Sequence, residues 1–302
     1  MLPQANALLT QPLSMDDRFL STLRQSERWR IHSAFANTVN LSAPSLPLLT
    51  LSNQQTDTLP LSLMTQGIDF SPLQQRLGTA IQHDAHSLRL SDAYVFYLNP
   101  PARSHYFAAA SLDEAQRSSL KQALPALQQQ LTQQARPGSF VPTAHASPFE
   151  QALGQCLRQQ AQALGQALQQ TAAAPNLDTA VLGLLGLGVG LTPSGDDYLV
   201  GALAALRYTQ PHADATQALA ASIQRHAPAQ TNAISVQALG CACQYYFKSS
   251  LLDLLQSLAQ QQPQAAAAAL GQLLHTGSTS GTDLAYGLID TLLLSCFEKD
   301  VL

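Results

Sequence analysis

The sequence predicts an α+β fold: a mainly antiparallel β-domain over residues 1–108, then an α-helical bundle over residues 109–302. Two shifts along the chain carry this reading. Short alternating runs of β-formers, split by Pro, Gly, Asn and Asp, fill the first third. From Ser111 onward Ala, Leu and Gln dominate, with breaks at Pro125, Pro137-Gly138, Pro175, Pro211 and Pro263. With 46% apolar residues in 302, there is enough hydrocarbon for a large core.

In chain order, a short helix is expected over 15–25, and residues 29–41 alternate in the manner of a strand. Strands follow over 46–52, 59–64 and 87–98, with a second short helix near 72–81. Tyr94-Val95-Phe96-Tyr97-Leu98 is the clearest strand, stopped by Asn99-Pro100-Pro101. Trp29 and His32 read as packing residues. A boundary falls between Pro100 and Ser111. Helices are then expected near 112–135, 147–172, 195–207, 214–225, 231–247, 249–261, 264–274 and 281–295. The glutamine tracts at 128–134 and 260–262 fit uncharged solvated helix faces.

Composition excludes several functions. Charged residues make up only 11%, the net charge is −4 and the pI is near 6.0. No basic face is left for nucleic acid, and no Lys/Arg run for an anionic membrane. The longest apolar run, 180–191, is too short to span a bilayer and is studded with glycines. Residues 1–15 carry no basic segment ahead of their apolar ones, so no secretory signal is expected. Cys156, Cys241, Cys243 and Cys296 lack metal-site or disulfide spacing and read as buried thiols in a reducing, cytoplasmic setting.

The most informative feature is a phrase written twice. Thr192-Pro193-Ser194-Gly195-Asp196-Asp197 and Ser278-Thr279-Ser280-Gly281-Thr282-Asp283 share the pattern hydroxyl, any, Ser, Gly, any, Asp. Each copy adds a glycine seven residues after its central serine, Gly201 and Gly287. Each follows a glycine-bearing turn and opens an apolar stretch, so each reads as the start of a helix. Free backbone N–H groups and the positive end of the dipole favour anions there. Ser194 suits an N-cap, with Asp197 completing a capping box. A glycine inside a helix costs about 1 kcal/mol relative to alanine, so its presence in both copies points to close helix packing.

The aspartates oppose an anion, and two resolutions stay open. They act locally as caps, or they hold Mg²⁺ or another hard cation that bridges to the ligand. Asp196 and Asp283 are the candidate metal ligands, and Asp196, Asp197, Asp283 and His275 the candidate catalytic groups. His275, just before the second phrase, equally fits a helix C-terminus that it stabilises. Thr231, Asn232 and Ser235 open another helix; they are structural or add polar groups to the same pocket. No P-loop ending, dinucleotide fingerprint, G-x-S-x-G elbow or nucleophilic triad is readable.

Residues 188–197, Gly-Val-Gly-Leu-Thr-Pro-Ser-Gly-Asp-Asp, resemble the G-x-G-L-T-P-S-G-D-D signature of AllH-like proteins, and 277–283 resemble that family's G-x-S-S-G-x-D motif. The Thr231/Ser235 segment resembles a third family position. Val189 stands where the signature usually has proline, and Thr279 where serine is frequent. The resemblance implies a subunit of an oxamate carbamoyltransferase-like assembly, which converts oxalurate and phosphate to oxamate and carbamoyl phosphate in allantoin and purine nitrogen catabolism. FdrA-like and AllG-like subunits are the implied partners. On this reading Gly190, Thr192, Ser194, Gly195, Thr231, Asn232, Ser235, Gly277, Ser278, Ser280 and Gly281 bind a small anion. A non-catalytic subunit and a metal-dependent hydrolase are the alternatives.

Overall fold

The computed structural model describes residues 8–53, 57–143, 145–169 and 176–297. The chain divides into two compact units, 1–105 and 106–302.

The first unit runs β1 (Leu8–Thr10), β2 (Ser14–Asp16), α1 (Phe19–Leu23), β3 (Arg30–Ala34), β4 (Thr38–Ser42), β5 (Leu49–Ser52), β6 (Ser62–Met64), β7 (Gln82–His83), β8 (Ser87–Ser91), β9 (Tyr94–Tyr97) and β10 (Ala102–Arg103). One sheet has the order β10-β2-β6-β5-β4-β3, the other β1-β9-β8-β7. Antiparallel pairing dominates, with parallel pairing at β1–β9, β5–β6 and β10–β2. The buried faces supply Trp29, Ile31, Leu41, Leu49, Leu51, Leu63, Phe70 and Phe96.

Several local expectations change. The helix expected over 15–25 is strand β2 followed by one helical turn, because Met15 is taken by pairing with Leu63 and Ala102. Tertiary pairing overrides local propensity there. Residues 29–41 form a hairpin, not one strand, and 72–81 contribute only a 3-10 turn at Ser71–Arg76. Trp29 does pack: it is fully buried, and its Nε1–H donates to Leu23 O at 2.8 Å. His32 is exposed beside Ser33. A buried polar chain ties distant segments, with His105 Nδ1 2.8 Å from Asp16 Oδ2 and Nε2 2.8 Å from Thr58 Oγ1.

The second unit is helical: α2 (Glu114–Gln134), α3 (Pro148–Gln169), α4 (Asn176–Leu184), α5 (Ser194–Thr209), α6 (Asp214–Gln230), α7 (Ala233–Cys243), α8 (Ser249–Ala259), α9 (Pro263–Leu274) and α10 (Ser280–Phe297). Every residue of α5 is buried, which makes it the central rod of the bundle. Asp113 and Gln116 close a reciprocal capping box on α2. Pro125 does not break α2, and α6 runs on through Pro228; each proline removes one ladder donor while packing holds the helix. Helix α4 was not expected. The end of α3 beyond 169 and the break at Pro175 lie outside the described residues. The four thiols are free, Cys156 half-buried and the others buried. No described helix is long and apolar enough to cross a membrane.

Candidate functional site

Helices α5 and α10 start side by side and run the same way. Thr192 and Ser280 share a hydroxyl–hydroxyl bond of 2.7 Å at the N-terminal ends, and Thr209 Oγ1 donates to Ser295 Oγ at 3.4 Å near the other. The two phrases therefore meet directly. Their glycines explain how two backbones come so close. A Cβ on Gly201 would strike Leu284 O, and one on Gly287 would strike Tyr198 O. The relation is reciprocal: in each case the carbonyl belongs to the residue four beyond the other helix's serine. The phrases are two halves of an approximate two-fold arrangement, with both positive dipole ends on one side.

The same exchange governs the acids. Asp197 lies beside Ser280 and Thr192, while Asp283 lies beside Ser194, Thr279 and Ser139. Both aspartates are buried. Asp197 Oδ2 and both oxygens of Asp283 have no hydrogen-bond partner among the described residues. The surrounding hydroxyls are near enough to favour the ionised form but are aligned on one another: Ser194 Oγ donates to Ser139 Oγ at 2.6 Å, as Thr192 and Ser280 pair with each other. Burial consequently dominates. It pushes Asp197 up to about 8, opposed by the Lys248 ammonium and assisted by the nearby Asp283 charge. It pushes Asp283 up to about 7. Near pH 7 Asp197 thus largely keeps its proton and Asp283 is about half-protonated, and a protonated carboxyl is an O–H donor.

The expected capping box does not form. Pro193 is the N-cap of α5 without a side-chain cap bond, and Ser194 is the first helical residue. Its hydroxyl is drawn across to Ser139 and cannot fold back on its own helix. Asp197 is correspondingly not a cap. The lead-in loop instead seats its backbone through glycine: Gly188 has φ +138°, and a Cβ there would strike Ser194 N. Gly190 is exposed in this loop, Gly195 N donates to Leu187 O at 2.8 Å, and Gly281 N donates to Thr276 O at 3.1 Å.

Asp196 faces elsewhere. Its Oδ1 accepts from Gly186 N at 2.8 Å and its Oδ2 from Thr231 Oγ1 at 2.5 Å, with buried Ser235 close by. Asn232 caps α7 through Ile234 N and Ser235 N while its Nδ2 donates to Leu191 O at 2.9 Å. The third segment thus anchors the first phrase. Asp196 and Asp283 face different neighbours, and no group of three or more His, Cys, Asp or Glu suited to a metal occurs among the described residues. His275 is exposed, and its Nδ1 lies 2.6 Å from Gly271 O, one turn back on its own helix. Ser278 and Gly277 are exposed, and Gly277 O accepts from Arg136 Nη1 at 2.5 Å.

Three participants escaped sequence reasoning. Lys248 supplies positive charge beside Asp197, Ser139 donor capacity beside Asp283, and Arg136 a guanidinium at the second turn. No spacing marks them, although Pro137-Gly138 did announce the turn that presents Ser139. A cavity of about 880 Å³ does not open between the helix starts. It lies along α3 and α10 and meets the cluster at Phe140, whose backbone also lies beside Asp283. The buried, unpaired carboxylates identify the cluster as the better candidate for chemistry; the cavity is a separate feature.

Residues 184–292, which contain both phrases, match a family model described as oxamate carbamoyltransferase subunit AllH. Residues 11–103 match the AllH family N-terminal domain. The chain belongs to the AllH family. AllH family membership identifies it as an oxamate carbamoyltransferase subunit. No solved structure matches the chain.

Proposed function

We propose that this AllH family member binds a small anion, either carbamoyl phosphate, phosphate, or oxamate or oxalurate, where α5 and α10 begin. One observation supports the reading above others: two parallel helix starts meet over buried, unpaired aspartates with Lys248 alongside. Two dipole ends and the lysine attract negative charge. Below about pH 7 the aspartates do not cancel that attraction, because burial keeps protons on them. Thr192, Ser194, Ser280 and Thr279 now bond to one another or to Ser139, and an entering anion takes over those donors. Asp197 and Asp283 are then placed to pass a proton to or from the bound group. Asp196, Thr231, Asn232 and Ser235 position the first turn, and Arg136 holds the second.

In this account the chain acts in the cytoplasm, in allantoin and purine nitrogen catabolism, within an assembly that includes FdrA-like and AllG-like subunits. Calorimetric titration with phosphate and oxamate, with and without Mg²⁺, tests the site. Saturable binding that Ser194→Ala and Ser280→Ala weaken is expected; no heat from either anion overturns it. The glycine-to-backbone packing favours a second reading, in which the phrases only join α5 to α10. Full transferase activity in a complex carrying Asp197→Asn and Asp283→Asn would establish that one.

A further inference from the structure

The cavity along α3 and α10 asks for a ligand of its own. At about 880 Å³ it far exceeds what phosphate or oxamate needs, and it falls in the range of roughly 300–1,000 Å³ that encloses drug-sized ligands. Its lining is chemically ordered. Phe140 stacks between Tyr198 and Tyr286, with ring centroids 5.2 and 5.4 Å away and both pairs tilted by 21°. Half-buried Tyr286 lines the cavity beside them. Asp290, one turn beyond Tyr286, accepts from the Tyr198 hydroxyl at 3.3 Å. Exposed Arg158 stands nearer Phe140, where one N–H donates to Phe140 O at 3.1 Å. The amides of Gln162, Gln166 and Gln169 complete the wall from successive turns of α3.

We propose that this cavity binds a purine mononucleotide. Phe140 and Tyr198 are buried, so half-buried Tyr286 offers the ring face on which a base stacks. Glutamine amides match the paired donor and acceptor of an adenine edge, and the Asp290 carboxylate accepts from an exocyclic amine. Arg158 supplies the bidentate guanidinium that suits a phosphate. Aromatic, acid and arginine in one cavity distinguish this site from the helix starts, where hydroxyls and backbone meet an anion with no ring. Because Phe140 borders both, occupancy here would bear on Asp283 through a shared residue.

Calorimetry of the intact protein with AMP, adenosine and oxamate separates the two sites. AMP and adenosine should bind, and Arg158→Gln should weaken AMP at least tenfold while leaving adenosine and oxamate within about twofold. Arg158 is exposed, so that variant should fold; Asp290→Ala, which should weaken both nucleosidic ligands, is the second variant. The proposal falls if neither AMP nor adenosine binds at about 1 mM. It falls equally if Arg158→Gln leaves AMP binding unchanged, or if oxamate displaces AMP competitively, which would put the nucleotide phosphate at the helix starts.

Discussion

Replacing Asp283 with asparagine should stabilise this protein, and more so as pH rises. In the fold, burial without a partner carries the carboxyl to about 7; the unfolded chain releases the proton near 3.8. Below the lower value both states are protonated and no difference exists. Between the two, the native state holds a proton that the unfolded state has lost, so stability falls as pH rises, by about 1.4 kcal/mol per pH unit. The full loss is roughly 4 kcal/mol, complete once pH passes the folded value. Asparagine keeps the shape and does not titrate. Between about pH 5 and pH 8 the stability difference, variant minus parent, should therefore grow by about 3 kcal/mol, or roughly 6–12 °C in melting temperature. Scanning calorimetry of both proteins across this range reads it directly. The slope is independent of any fixed cost of the amide. Parallel curves would refute the reasoning, and a variant that loses ground at high pH would mean that Asp283 is ionised and paired in the native state.

Other outcomes follow from the same contacts. Gly287→Ala should destabilise by about 1–3 kcal/mol, since its Cβ must push the α5 and α10 backbones away from each other, whereas Gly240→Ala, with nothing within 4 Å, should stabilise by about 0.5–1 kcal/mol; urea unfolding compares them. Lys248→Met should weaken oxamate binding roughly tenfold by removing the charge beside Asp197, read by calorimetry. Oxamate affinity should fall as pH rises through about 7 and about 8, because ionised Asp283 and Asp197 then repel it, and a flat profile would contradict that. Thr231→Val should cost about 1–3 kcal/mol in stability, because it leaves Asp196 Oδ2 without its donor.

Much of the fold was legible because its signals are periodic. The Ala/Leu/Gln helices reach their expected places, since an apolar stripe at helical spacing determines which face is buried. The misses have particular causes. Strands β1, β7 and β10 are two or three residues long, too short to show an alternation. Helix α4 was hidden in an apolar run whose glycines suggested a loop, yet the positive-φ positions begin only at Gly186, after the helix ends. In the site, the duplicated phrase was visible, and its trailing glycines signalled the packing that Gly201 and Gly287 perform. The role of each acid was not visible. Asp196 looked like a metal ligand or catalytic group, and the structure satisfies both of its oxygens; Asp197 looked like a cap, and the structure buries it beside the other helix's serine. Which carboxylate is satisfied depends on partners such as Thr231 and Ser139, whose distance in sequence carries no pattern.

The most direct test is a crystal structure of this protein grown with phosphate or oxamate near neutral pH. The account predicts the anion between the first turns of α5 and α10, with the Thr192–Ser280 bond opened and their hydroxyls, Ser194 and Lys248 turned to it. An anion held elsewhere, with that bond intact under saturating ligand, would contradict it.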